Sequence, residues 1–252
     1  EAQIIREWIN SRCWGVNVEI TVPHQDLNRA LVDMAAENAV ETLNALRTRW
    51  EADTNRQTGA LTEVQEVLDL AEPPNRIECY DISTTQGVAS VGSMVVFEQG
   101  TPNKKLYRRF NIKTVLGQDD FASMEEVLFR RFRRWKAAEE QDEMVGKKPD
   151  LAFSILPDLL LVDGGKGQLS RAVKVLEEFN LMGRVPVAGL AKQEEELFLP
   201  GKHSSLTLEP HSQGLYLIQR IRDEAHRFAI TAHRKRRRKE GLASRLDVIP
   251  GI

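Results

Sequence analysis

The chain has 252 residues, of which 41% are hydrophobic and 29% are charged, a composition typical of a globular protein and not of a disordered one. No apolar run approaches the ~18 residues that a membrane span needs, and the N-terminal residues lack the basic and then apolar pattern of a signal peptide. The two cysteines, Cys13 and Cys79, are too few for a disulfide framework or a cysteine zinc site, so a reducing cytoplasm is expected.

Basic residues are unevenly distributed along the chain. The formal net charge is −2, so the overall charge gives no indication of a nucleic-acid partner. A polyanion is attracted by a local patch, however, and basic residues concentrate at 104–109, 130–136 and 234–239. DNA therefore stays a possible ligand.

The first 74 residues predict a helix-strand-helix extension. Apolar spacing indicates a helix over 1–12, and alternation from Val16 to Val22 indicates a strand. A helical pattern then runs from about Asp26 to Leu70, with a predicted break near Thr54 to Gly59. Prolines 73 and 74 favour a domain boundary.

After the prolines the pattern predicts three antiparallel strands and then a helix. The strands are expected at Arg76–Ser83, Val88–Phe97 and Lys105–Val115. The helix is expected from Asp119 to about Ala138, and the polar stretch from Glu139 to Asp150 is expected to be a loop.

The C-terminal half predicts alternating strands and helices. The continuous apolar run at 157–163 indicates a strand buried on both faces. A helix at 167–179, a strand at 185–191, a hairpin at 198–209 and a long helix from Ser212 follow. This order predicts an α/β fold over 75–240, a ribonuclease-H-like mixed sheet flanked by helices, in which a helical crossover brings the fourth strand parallel to the first.

Two aspartates are the first candidates for chemistry. Asp81 lies in the first strand, and Asp163 ends the apolar run of the strand expected beside it. Two carboxylates held together repel unless a cation lies between them, and Mg²⁺ or Mn²⁺ suits oxygen ligands on a phosphodiester enzyme. For either residue alone, capping of a helix or turn is the alternative.

Glycines surround Lys166 at the start of the next helix. Gly164, Gly165 and Gly167 allow a sharp turn and expose backbone amides at a helix N-terminus, which favours phosphate binding. The alternative is a simple strand-to-helix turn. The spacing is not that of a Walker A loop.

The last helix carries a candidate histidine. Its predicted buried stripe consists of Leu215, Ile218, Ile221, Ala225 and Ala229. His226 and Arg222 lie on the edge of that stripe, where an imidazole can reach a neighbouring cleft while the helix stays packed. A structural or solvated histidine is the alternative.

Five segments in order resemble the bacterial UvrC endonuclease, and the similarity extends from about Trp8 to Ile252. The segments are YDIS at 80–83, DDFASM at 119–124, LLLVDGGKGQL at 159–169, GLAK at 189–192 and IRDEAHRFAI at 221–230. The resemblance implies that Asp81, Asp163 and His226 form the catalytic and metal-binding centre. It also implicates the pair Asp119 and Asp120, of which Asp120 aligns better with the functional position.

Two alternatives remain open on the helix that begins near Asp119. N-capping is the structural alternative for Asp120. Glu125 and Glu126 lie on the same helix, where ribonuclease H uses a glutamate.

The resemblance further implies a metal-dependent DNA endonuclease that cuts on the 5′ side of a lesion in nucleotide excision repair. Its expected partners are damaged duplex DNA and a UvrB–DNA complex, the latter contacted through regions of a longer protein, of which 241–252 would begin a helix-hairpin-helix segment. The expected DNA-binding residues are Lys166, Lys192, Arg222, Arg234, Lys235, Arg236 and Arg237. The competing hypotheses are a ribonuclease-H-like module that binds DNA without cutting it, and a related enzyme that acts on an RNA–DNA hybrid or as a recombinase.

Overall fold

A computed structural model describes residues 2–12, 18–20, 26–85, 88–115, 117–142, 150–191 and 196–246. The chain divides into two compact units, Glu1–Thr54 and Asn55–Ile252. The domain boundaries expected at 74/75 and 240/241 stay a prediction. Among the described helices, none is long and apolar enough to cross a membrane.

The first unit contains helix α1, Ala2–Arg12. The Asn10 side chain exchanges two hydrogen bonds with the backbone of Val18, of 3.1 and 2.7 Å, and so ties residue 18 to this helix. Residues 18–20 are not in a strand, so the strand predicted over 16–22 is wrong for this part. Its remaining residues lie outside the described ones.

Helix α2, Asp26–Leu68, is continuous, so the break predicted near Thr54 to Gly59 is wrong. A single glycine inside a helix costs only about 0.5–1 kcal/mol relative to alanine, which a long helix tolerates. The last turns of α2 are also held by burial of Leu61, Val64 and Leu68 in the core of the second unit.

A seven-stranded mixed sheet forms the centre of the second unit. Its strands are β1 Arg76–Thr85, β2 Val88–Glu98, β3 Thr101–Pro102, β4 Arg108–Asn111, β5 Leu159–Asp163, β6 Val187–Leu190 and β7 Leu197–Phe198. The spatial order is β3-β2-β1-β5-β6-β7, and β4 also pairs with β2. Strand β1 is antiparallel to β2 and parallel to β5, as the sequence predicted.

Helices cover both faces of the sheet. Helices α3 (Asp120–Asp142) and α5 (Lys166–Glu178) pack on one face, and α6 (Gln213–Leu246) and the end of α2 pack on the other. Successive side chains of β1 enter the two layers alternately, because side chains of a strand point to opposite faces. This arrangement confirms the ribonuclease-H-like α/β fold expected from the order of elements.

Local side-chain caps explain two differences from the predicted elements. Asn103 accepts a hydrogen bond from the Lys105 amide and starts a 3₁₀ turn at Lys104–Leu106, so the strand predicted from Lys105 begins only at Arg108. Directly after the stretch predicted as a loop, where no element was predicted, Asp150 caps the short helix α4, Leu151–Ser154. Residues 143–149 of the predicted loop lie outside the described residues.

Two further predictions differ in extent. Helix α3 continues to Asp142, four residues beyond its predicted end near Ala138. The hairpin expected at 198–209 is reduced to β7 and one bridge between Leu197 and Leu206.

A buried ion network links β1, α3 and α4. The carboxylate of Glu78, which is fully buried, accepts hydrogen bonds from Arg131 at 2.9 and 3.0 Å and from Arg76 at 2.8 and 3.1 Å. Arg131 also donates to the carbonyl oxygens of Phe153 and Ile155. Burial alone would raise the pKa of Glu78, but the guanidinium of Arg131 and then that of Arg76 hold it below its usual range.

Candidate active site

The two candidate aspartates follow paired positions on neighbouring strands. In the parallel ladder of β1 and β5, Tyr80 lies opposite Val162, and the next residue of each strand is Asp81 or Asp163. By alternation both aspartates point to the face that α6 covers, together with Cys79 and Leu161. Both are only 4% exposed. Strand pairing alone therefore brings the two carboxylates together.

His226 reaches this pair from α6. Its Nδ1 lies 3.5 Å from Oδ2 of Asp81, and its side chain is 55% exposed. The predicted stripe beside it is confirmed: Ile218, Ile221, Ala225 and Ala229 are buried, and Leu215 is half-buried. The helix is thus held by apolar residues, and the imidazole stays at its edge.

The three side chains form a donor set that fits one divalent ion. One ligand atom from each of Asp81, Asp163 and His226 lies within 4.8 Å of the other two. An ion bound at ~2.0–2.6 Å can join oxygen donors up to roughly 4–5 Å apart. Two carboxylates suit Mg²⁺ or Mn²⁺, and a water could complete the shell because the imidazole side is open to solvent.

Cys79 lies close to the same carboxylates, but it remains a neutral thiol. Complete burial, and then the negative charges of Asp163 and Asp81, raise the pKa of Cys79 well above its usual range. The thiolate is the form that binds metals and attacks electrophiles, so this environment disfavours a chemical role for Cys79, whose side chain packs in the core.

An open cavity of about 860 Å³ lies at the carboxyl ends of β1 and β5, and Asp81 and Asp163 form part of its wall. The first turn of α5 forms another part, where Gly165 is the N-cap and Lys166 the first helical residue. The Lys166 ammonium donates to the His203 carbonyl at 2.9 Å and lies exposed at the rim. The cavity thus combines acidic side chains with a helix N-terminus, which favours an anion beside a cation.

Close packing holds the turn after β5 against β6. A Cβ atom at Gly189 would lie 2.8 Å from the carbonyl oxygen of Gly164 and 3.3 Å from Cβ of Leu169. Neither neighbour is the mobile end of a side chain. Only glycine at this position lets β6 and the turn approach so closely.

Asp119 and Asp120 both line the cavity, in different roles. Oδ1 of Asp119 accepts a hydrogen bond from the Ala122 amide at 2.9 Å, so Asp119 is the residue that caps α3. The N-cap position, which was the structural alternative for Asp120, is therefore occupied by Asp119. Asp120 is the first helical residue and is exposed on the same cavity as Asp81 and Asp163.

The two glutamates of α3 are engaged away from this cavity. Glu126 accepts hydrogen bonds from the backbone amides of Lys113 and Thr114, and Glu125 forms ion pairs with Arg171 and Lys174. Neither lines the cavity that holds Asp81. The structure therefore gives no support to a catalytic glutamate at either position.

The predicted DNA-binding residues are only partly within the described side chains. Lys166 lies at the cavity, and Arg222, one turn before His226, is half-buried with Nη2 3.6 Å from Oδ1 of Asp223. Lys192 lies outside the described residues. The backbone of 234–237 belongs to α6, and those side chains lie outside the described part.

Two further residues belong to the site, Ser93 and Phe121, of which only Phe121 lies in a segment that resembles the UvrC endonuclease, DDFASM at 119–124. The buried Ser93 hydroxyl lies 3.4 Å from the backbone carbonyl oxygens of both Asp81 and Ala225. It therefore links β1 at Asp81 to α6 at the residue before His226. Phe121 lines the cavity while 49% exposed, packed against Gly167. A lone serine in a strand, such as Ser93, is too common to indicate a site.

Comparison with known sequences gives consistent matches. A family model described as the UvrC RNAse H endonuclease domain matches residues 65–230. The UvrABC system protein C of Dehalococcoides mccartyi is 46% identical over 252 residues, which is 100% of this chain and 40% of that protein. That of Symbiobacterium thermophilum is 44% identical over 266 residues, covering 100% of this chain and 42% of the relative. The chain thus spans about 40% of the length of the relatives that it matches.

Comparison with solved structures gives weaker matches. A Ciona intestinalis endonuclease V in complex with DNA has a TM-score of 0.36 and 11% identity, covering 76% of this chain and 99% of that one. The human ENDOV structure has a TM-score of 0.34 and 14% identity, covering 75% and 98%. Similarity this low supports no conclusion about chemistry.

Proposed function

This chain belongs to the UvrC family through its RNase H endonuclease domain, and we propose that it hydrolyses a DNA phosphodiester bond with the help of a divalent metal ion. The observation that carries the proposal is the cluster of Asp81, Asp163 and His226, whose ligand atoms lie within 4.8 Å of one another. Buried carboxylates at this spacing favour a bound cation, and a cation beside an open cavity favours a phosphate ligand.

The side chains divide into three proposed roles. Asp81 and Asp163 hold the ion, which when bound supplies Lewis acidity towards a phosphate oxygen and towards the attacking water. His226 either completes the ligand set or moves a proton at its Nε2, because its Nδ1 faces Asp81. Lys166 and the first turn of α5 orient the phosphate, and Asp120 adds a carboxylate at the cavity wall.

The proposed substrate and partners are those that the resemblance to the UvrC endonuclease implies. We propose damaged duplex DNA as substrate, cut on the 5′ side of the lesion in nucleotide excision repair, with Mg²⁺ or Mn²⁺ as the metal. A UvrB–DNA complex is the proposed partner, contacted through parts of the longer relatives that this chain does not span. A cytoplasmic location stays an expectation.

The test is incision by this chain of a duplex with an unpaired bubble, in the presence of Mn²⁺. We expect nicking, and EDTA should stop it. The substitution Asp163→Asn should reduce the nicking rate by at least about 10²-fold, since the two remaining ligands bind the metal weakly. Gel separation of the labelled strand measures the rate.

The matched control is Asp158→Asn. Asp158 directly precedes β5, the strand that ends at Asp163, and it does not line the active-site cavity. It should retain nicking at near the wild-type rate. Nicking that persists in EDTA, or in the Asp163 variant, would contradict a metal-dependent reaction. Preference for an RNA–DNA hybrid over the bubbled duplex would reassign the substrate.

The basic run at the end of α6 gives a separate prediction. Replacing Arg234, Lys235, Arg236, Arg237 and Arg238 together with glutamine should weaken DNA binding and flatten its salt dependence. The reason is that a variant that makes fewer phosphate contacts releases fewer counterions from the DNA on binding. Affinity measured over a range of salt concentrations tests this. An unchanged slope of log affinity against log salt would instead mean that the run is a solvated helix end.

A further inference from the structure

A second open groove runs along α3, next to the cavity of the proposed active site. It has a volume of about 830 Å³ and lies between α3 and the segment that follows β4. Asp119 lines both the groove and the cavity, so the two are adjacent at the start of α3. A ligand strand that extends from the cavity across Asp119 would reach this groove.

Two of the three carboxylates that line the groove, Glu125 and Glu126, are neutralised by neighbours in the fold, and the third, Asp119, caps α3. Glu126 receives backbone amides of Lys113 and Thr114, and Arg130 binds it at 2.9 Å. Burial alone would raise the pKa of Glu126, but these hydrogen bonds hold it below its usual range. Glu125 is paired with two cations of α5. Neither carboxylate therefore acts as an uncompensated negative charge towards a ligand.

The basic cluster on α3 is split by the fold. Arg131 turns inward to the buried Glu78, whereas Arg133 and Arg134 are exposed and line the groove. Lys113, exposed on the segment after β4, lines the same groove. Helical spacing alone gave no reason to separate Arg131 from its neighbours, and no reason to join Lys113 to them.

We propose that this groove binds the phosphate backbone of the DNA strand that passes through the active-site cavity, with Lys113, Arg133 and Arg134 as the phosphate contacts. The inference rests on the proposed function only in taking DNA as the ligand. Exposed cations along an open groove, in which Glu125 and Glu126 are already paired, give the charge complementarity that a polyanion needs. Because the groove adjoins the cavity at Asp119, the part of the strand next to the reacting phosphate would lie there.

The test is binding of the variant Lys113→Gln/Arg133→Gln to a 30-nucleotide single strand and to the same sequence as duplex, in EDTA so that no incision occurs. The slope of log affinity against log salt is negative, and each lost phosphate contact reduces its magnitude by ~0.7 on a single strand and ~0.9 on duplex. For the two lost contacts we expect the magnitude to decrease by about 1.4 on the single strand or about 1.8 on the duplex. The probe that shows the fall identifies which form lies in the groove.

The matched control is Arg29→Gln/Arg47→Gln, which removes the same charge from exposed arginines that each face a carboxylate one turn away. It should leave both slopes unchanged. An unchanged slope for the groove variant on both probes, or an equal fall for the control, overturns the inference. The nicking rate of wild type in Mn²⁺ is measured separately, so a failure of the groove and a failure of the nuclease are distinguishable.

Discussion

Replacing His226 with alanine is expected to lower the rate of DNA incision by about 10²–10⁴-fold while leaving the fold intact, the range that loss of a general acid or base produces. The imidazole touches Asp81 at 3.5 Å but is 55% exposed, so its removal opens no buried cavity. Substitutions at such surface positions usually change stability by no more than about 0.5 kcal/mol. The measurements are the incision rate and the denaturant midpoint of the same variant.

The matched control for this variant is His211→Ala. His211 is also exposed, and its Nδ1 lies 3.2 Å from the hydroxyl of Tyr216; it does not belong to the cluster of Asp81, Asp163 and His226. It should keep the wild-type incision rate. A His226 variant that is stable and still active rules out the proposed role, and so does one whose inactivity follows from unfolding.

Replacing Glu78 with glutamine is expected to destabilise the protein by about 3–5 kcal/mol, the usual result of removing one partner from a buried ion pair. Two buried guanidinium groups, those of Arg76 and Arg131, would lose their shared counter-charge. Equilibrium unfolding in urea measures the loss. A change below about 1 kcal/mol would mean that the neutral amide satisfies both arginines.

The control for Glu78 lies at the solvent-exposed end of the same network. Glu98, whose side chain is 36% exposed, contacts Arg76 at 3.3 Å, and Glu98→Gln should cost less than about 1 kcal/mol.

The two variants also differ in how their stability depends on pH. Because the folded pKa of Glu78 is depressed, its contribution to stability is present above the unfolded pKa and is lost as pH falls through the folded pKa. The Glu78 variant should lack that loss.

Sequence patterns predicted the sheet well at its buried centre. The continuous apolar run before Asp163 identifies a central strand, and the helix between it and β1 requires the parallel pairing. The prediction failed where one side chain decides the local structure. Asn103 starts a 3₁₀ turn and Asp150 caps a helix of four residues, and such short elements have no periodicity to detect.

The candidate site was predictable in its residues but not in its surroundings. Asp81 and Asp163 follow from their places on two neighbouring strands and His226 from a helix edge, and the structure brings them together. The separate environments of Asp119 and Asp120 depend on where α3 begins, to within one residue. Likewise, whether Arg131 faces solvent or Glu78 depends on the packing of α3, which adjacent arginines in a sequence do not indicate.

The contact between Gly189 and the carbonyl of Gly164 makes position 189 intolerant of change although it performs no chemistry. Any side chain there would push the turn that carries Lys166 away from β6, because the obstructing atom is backbone and cannot rotate aside. In a survey of all single substitutions, this glycine should therefore behave like an active-site residue, with even alanine harmful. Such a survey alone would wrongly assign it a catalytic role, and only the approach of the two backbones distinguishes a steric requirement from a chemical one.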